Sequence, residues 1–167
     1  MGNRESRGIF VIALCALFTA GLGYFYFFGG EASREETVAR FGSEIMPFDL
    51  DDTTHIFEPT SSGGVQTVVA DDASDEEEVD LIRQHLEEEA QAFRDGDFSD
   101  PAFIHGDDMP GMKQLSNHLG ALDVRYKEID GGAQIVYETP HPELVEALHV
   151  WFEAQLTDHG EHAKPGS

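Results

Sequence analysis

Between Phe103 and Met112 the chain reads FIHGDDMPGM, which puts a histidine, two aspartates and two methionines into one short stretch. Imidazole, carboxylate and thioether are ligands that suit copper and related transition metals better than a zinc-thiolate site. His105, Met109 and Met112, completed by Asp107, are therefore the candidate metal site, with copper favoured. His85 and His149 are the distant residues that helices could bring to it. Gly106, Pro110 and Gly111 rule out a regular helix or strand here, so the stretch is expected to be an irregular loop. The competing role is packing: methionines that seat the loop on the core and a histidine that caps a backbone carbonyl.

Other polar residues invite an enzyme reading. His85 and Glu89 stand at i, i+4 on one helical face, and His105 has Asp107 and Asp108 close by in sequence, so either histidine could serve as acid and base. No nucleophile elbow, phosphate-cradling glycine loop or His-Glu-x-x-His pattern accompanies them, which makes catalysis the weaker expectation. Asp158-His159-Gly160-Glu161-His162 is a second candidate cluster, for which a solvated chain end is the favoured reading. His118 and His141 read as surface residues, and His55 as a strand residue beside Phe57.

The 167 residues carry 33 Asp and Glu against 10 Lys and Arg, a formal net charge of -23. Phosphate binding depends on cationic side chains displacing counterions, so nucleic acid is not an expected partner. Such an excess also suits a salt-adapted protein. The one cysteine, Cys15, lies in an apolar run, which leaves no disulfide framework, Cys zinc cluster or catalytic thiol.

Residues 9–28 (IFVIALCALFTAGLGYFYFF) are uncharged and long enough to span ~30 Å of hydrocarbon as a helix. They predict a single-pass transmembrane helix in a prokaryotic plasma membrane. Arg4 and Arg7 place residues 1–8 in the cytoplasm and the remainder on the periplasmic or extracellular side. Residues 29–45 read as a linker with a short helical turn, 46–162 as the folded domain and 163–167 as a frayed tail. An anchored acidic domain could also be an accessory subunit of a larger membrane complex, the alternative to metal binding.

Within the domain, residues 53–58 and 65–70 flank a Ser-Ser-Gly-Gly turn and read as a hairpin. A helix follows, with Ser74 as N-cap and a buried stripe of Val79, Ile82, Leu86, Ala90 and Phe93. Residues 112–119 read as a short helix, 122–129 and 133–139 as a second hairpin around Asp130-Gly131-Gly132, and the segment opened by Pro140 and Pro142 as the last helix. Gly63-Gly64-Val65-Gln66 echoes Gly131-Gly132-Ala133-Gln134, and Glu89-Ala90-Gln91 echoes Glu153-Ala154-Gln155, so the hairpin-helix unit reads as duplicated. The expected fold is α+β: two layers, a four-stranded antiparallel sheet with helices on one face, preceded by the transmembrane helix.

Several separated motifs carry a resemblance: His85-Leu86, Gly96-Asp97-Phe98-Ser99-Asp100-Pro101, Ile104-His105-Gly106, Met109-Pro110-Gly111, Ala147-Leu148-His149 and Asp158-His159-Gly160. On these the chain, over roughly 46–162, resembles a family of small prokaryotic proteins, many of which carry the name aspartate carbamoyltransferase. The resemblance implies kinship rather than that activity. True aspartate carbamoyltransferases are about twice as long and grip carbamoyl phosphate with a Ser-Thr-Arg-Thr loop, and no such loop is present here.

Overall fold

Alternation of buried and open positions along the strands sets the architecture, because one face of each is apolar and must be covered. The computed structural model describes residues 32–118 and 120–166. Helix α1 (Arg34–Ile45) leads through a 3-10 turn to β1 (Thr53–Thr60) and β2 (Gly63–Ala70), followed by α2 (Glu76–Arg94), α3 (Ser99–His105) and α4 (Met112–Ser116). Strands β3 (Asp123–Ile129) and β4 (Gly132–Glu138), helix α5 (Pro142–His159), a second 3-10 turn and β5 (Ala163–Pro165) complete it.

Both hairpins close on two-residue turns. Thr60 pairs with Gly63 across Ser61-Ser62, and Ile129 with Gly132 across Asp130-Gly131. Gly131, at φ 72°, supplies the left-handed backbone that such a turn needs. Strands β2 and β4 pair antiparallel, so the hairpins meet in the middle of the sheet.

The expected four-stranded antiparallel sheet is corrected by the chain end. Residues Ala163–Pro165, read as part of a frayed tail, pair in parallel with His55–Phe57 and make a five-stranded mixed sheet, β3-β4-β2-β1-β5. The free edge of β1 offers unpaired backbone groups, and the 3-10 turn after α5 returns the chain to it. The Gly166 N–H also donates to the Phe57 carbonyl at 2.9 Å. Three residues are too few to show strand periodicity in sequence.

Helices α2 and α5 cover one face. The whole α2 stripe, Val79, Ile82, Leu86, Ala90 and Phe93, is buried. Its cap is Asp75, which accepts from the Glu78 N–H, while Ser74 donates to Asp72. Helix α5 buries Leu148, Trp151 and Phe152 in one cluster with Phe57, Ile135 and Tyr137, and each such large side chain contributes ~1.5–3 kcal/mol. Gly64 lies beneath Phe152, whose ring would stand 2.5 Å from any added Cβ, so the glycine permits the close approach of helix and sheet.

Residues 34–45, inside the expected linker, form α1 and bury Val38 and Gly42. A stripe of two residues four apart is too thin to read as a core helix. Residues 9–28 and 1–8 lie outside the described residues, and among the described residues no helix is long and apolar enough to cross a membrane. The expectation of single-pass anchoring in a plasma membrane, with an outward-facing domain, is corrected to that extent: the described residues supply no helix for it. The longest described helices are amphipathic, with their apolar stripes turned to the sheet.

Candidate functional site

Two helices place polar side chains among core residues at steps of four. On α2 these are His85 and Glu89, followed by Phe93; on α5 they are Trp151, Gln155 and His159. A four-residue step nearly matches the 3.6-residue turn, so each set looks in one direction. They meet His55 and Gln66 of the sheet and His105 at the end of α3, enclosing a cavity of about 40 Å³. One water needs ~10–15 Å³ of such room, so the cavity takes about three waters or a molecule of a few heavy atoms.

Three buried polar atoms of its lining, His55 Nε2, Trp151 Nε1 and Gln155 Oε1, have no hydrogen-bond partner among the described residues. A buried donor or acceptor left unmet costs ~1–3 kcal/mol, so a polar occupant is favoured. Four titratable neighbours, Glu89, His55, His85 and His159, are held uncharged. Burial, then the hydrogen bond and charge of Asp100, pushes Glu89 up to about 8, which keeps it a carboxylic acid at neutral pH. Burial, then His85, pushes His55 down to about 4. Burial lowers His85 and drives His159 well below its ordinary range. His55 and His159 stack with centroids 5.0 Å apart, and His105 stands edge-on to His159 at 5.0 Å.

His105 is the best-positioned of these histidines. Its Nδ1–H donates to Asp158 Oδ2 at 2.8 Å. Arg34 of α1 grips the same carboxylate with both Nε (2.9 Å) and Nη2, and Nη2 also donates to the His105 carbonyl at 2.6 Å. Burial alone would raise Asp158, but hydrogen bonds from Arg34 and His105 hold it below the usual carboxylate range. An ionised Asp158 fixes the proton on Nδ1 and leaves the Nε2 lone pair as the basic end. His105 itself is lowered, since burial outweighs the pull of Asp158. It also lines an open outer groove of about 540 Å³ together with Arg34, Asp158 and Val150. The imidazole is thus the wall between groove and cavity.

Asp158→Asn is expected to cost about 1–2 kcal/mol, a partly exposed pair being worth less than a buried one. It should also speed amide exchange throughout α1, which hydrogen-exchange measurements read directly. A change confined to the end of α5 would contradict the tethering role of Asp158.

The proposed metal loop is not built that way. Met109 and Met112 are buried in the hydrophobic core, and Asp107 points to solvent. His149 Nε2–H donates to the carbonyls of Thr60 and Gly63, stapling α5 to the first hairpin. Of the six candidates only His105 and His85 reach the common cavity. Among the described residues no group of three or more His, Cys, Asp or Glu could hold a metal ion, which corrects the expectation of a metal-binding protein for sites of that kind. Gly106 and Gly111, at φ 90° and 80°, fold the loop back so that its thioethers pack inward. His85 and His149 serve unrelated roles, one lining the cavity and the other stapling α5 to the first hairpin.

Sequence reasoning missed Trp151, Gln155 and Arg34, and favoured a solvated chain end for Asp158 and His159, which are buried. The available signal was a glutamine and a histidine in four-residue register with the only tryptophan on the apolar face of α5. No family model, no curated protein and no solved structure matches the chain.

Proposed function

We propose that the domain admits a small uncharged polar molecule to the cavity between α2, α5 and the sheet, and moves protons on it. The carrying observation is the set of three unpartnered buried polar atoms, Trp151 Nε1, Gln155 Oε1 and His55 Nε2, around one partly open cavity. A donor, an acceptor and an adaptable imidazole match a carbonyl or amide compound. A small anion would be opposed by Asp100 of the lining, and any ion would give up its hydration beside the neutral His55, His85 and Glu89. Two groups of opposite proton preference share that space: His105, a neutral base oriented by Asp158, and Glu89, a carboxylic acid at neutral pH. Environments that drive neighbouring groups apart in this way are a mark of acid–base sites.

Trp151 is the only tryptophan of the chain, so one indole N–H resonance reports the cavity. In the full chain, formamide, urea and acetone are expected to shift it, and formate and methylammonium to leave it in place. Gln155→Leu should abolish the shift. In D2O the α-protons of bound acetone should exchange faster than in buffer. His105 Nε2 takes a proton from carbon while the Glu89 hydroxyl protonates the carbonyl oxygen, giving the enol, and reversal delivers deuterium. His105→Gln and Glu89→Gln should each slow exchange by ~10²-fold or more. An indole resonance unmoved by every neutral probe defeats the binding site; a shift without accelerated exchange defeats only the acid–base role.

A further inference from the structure

The sheet face turned away from the helices has no cover among the described residues. Its side chains alternate with the core-facing ones: Thr54, Ile56 and Glu58 on β1, Val65, Thr67 and Val69 on β2, Gln134, Val136 and Glu138 on β4. On β3 they are Asp123, Arg125, Lys127 and Ile129, and Lys164 of β5 lies opposite Ile56. The centre is apolar and half-buried: Ile56, Val65, Val69 and Val136.

We propose that this face binds a second copy of the chain, sheet against sheet. Charge selects the occupant. The face carries three cations, Arg125, Lys127 and Lys164, and three carboxylates, Glu58, Asp123 and Glu138, within a chain of net charge -23. A basic partner would be drawn to the acidic remainder of the surface, and a partner of either single sign would leave half the rim charges unmatched. Another copy brings both signs, as a two-fold self-complementary contact requires, and turns the acidic helical sides away from each other.

Desolvation is cheap because the central polar groups already have partners. The Thr54 hydroxyl donates to Asp71, Gln134 donates to Thr67, and Arg125 pairs with Asp123 and Glu138. The strands, of eight, eight, seven, seven and three residues, at ~4.8 Å spacing and ~3.3 Å per residue give roughly 520 Å² per copy, or about 1,050 Å² in total. That is at the lower edge of specific interfaces, which start near ~1,000 Å². The dimer is therefore weak and opposed by the net charge, so added salt strengthens it.

Sedimentation of the full chain tests this. Association should tighten about tenfold or more between ~0.1 M and ~1 M NaCl, as the screening length falls from ~10 to ~3 Å. Val136→Lys should weaken it about 30-fold, while Phe103→Ser, an exposed aromatic on α3, should not change it. If Val136→Lys fails a circular dichroism check, Ile56→Thr, which keeps a strand-favouring side chain, must weaken association in the same direction. Carbodiimide cross-linking of mixed 14N and 15N chains should join Lys127 or Lys164 of one copy to Glu58 or Glu138 of another. A monomer at high concentration in ~1 M NaCl, where screening is strongest, overturns the proposal. So does association indifferent to both face variants, or cross-links only between helical residues.

Discussion

Gly111→Ala is expected to destabilise the domain by on the order of 2–5 kcal/mol, among the largest effects of any single methyl addition to this chain. Gly111 sits at φ 80°, where an L side chain costs ~1–2 kcal/mol. Its added Cβ would also lie 2.1 Å from the Ala147 carbonyl oxygen and 3.0 Å from Trp151 N and Cβ. Those atoms belong to the backbone and first side-chain carbon of α5, which cannot yield without disturbing the helix, so overpacking of ~1–3 kcal/mol adds to the conformational cost. The measurement is a urea midpoint with unchanged slope. Gly120→Ala is the internal comparison. Its φ is 77° and nothing lies within 4 Å of the added carbon, so it should lose only the conformational part. Equal losses at the two positions would mean that the loop does not press on α5. In whatever Gly111→Ala protein remains folded, the indole of Trp151 should move, because the same contact that sets the loop sets the cavity wall.

Residues whose environment repeats along the chain were legible in the sequence. The α2 stripe from Val79 to Phe93 could be read because one helix face is buried over five turns, and both hairpins because alternation and turn residues coincide. Residues whose role depends on a single distant contact were not. Arg34 looks like linker charge until α1 places it on Asp158, 124 positions away. His159 looks like solvated chain end until the 3-10 turn and β5 fold over it, after which it is only 6% exposed. Met109 and Met112 misled for the opposite reason. A thioether is both a metal ligand and a gap-filling hydrophobe, and nothing in one loop distinguishes the two. What decided between them was the depth of the neighbouring core, a property of α5 and the sheet. His105 and His85 were legible as chemistry-bearing residues, whereas the cavity that joins them requires β1, α2, α3 and α5 together.

The stability of the folded domain should peak near neutral pH and fall on both sides, for reasons that reside in the cavity. His55 titrates at about 4 in the fold against an ordinary 6.5, so between those values the unfolded chain takes up a proton that the folded chain refuses. Stability therefore falls as pH drops through that window, by ~1.4 kcal/mol per pH unit for each fully depressed group. His159, His85 and His105 are lowered too and act in the same sense. Asp158, held low by Arg34 and His105, adds its own loss at still lower pH. Glu89 works in the opposite direction. At about 8 against an ordinary 4.5, its folded carboxyl keeps a proton that the unfolded one sheds, so its contribution declines as pH rises through that interval and is exhausted above it. Below pH ~6.5 the lowered histidines outnumber Glu89, so the net loss is on the acid side. Above pH ~6.5 Glu89 acts alone and the slope reverses until about pH 8. Urea midpoints taken across this range should trace both limbs. Glu89→Gln, which keeps the size and hydrogen bonding of the acid without its titration, should flatten the alkaline limb and leave the acid limb in place. A wild-type alkaline limb that is flat, or one that persists in Glu89→Gln, would show that Glu89 is ionised in the fold. The cavity would then present a negative charge, and the acid half of the proposed chemistry would be lost with its preference for uncharged ligands.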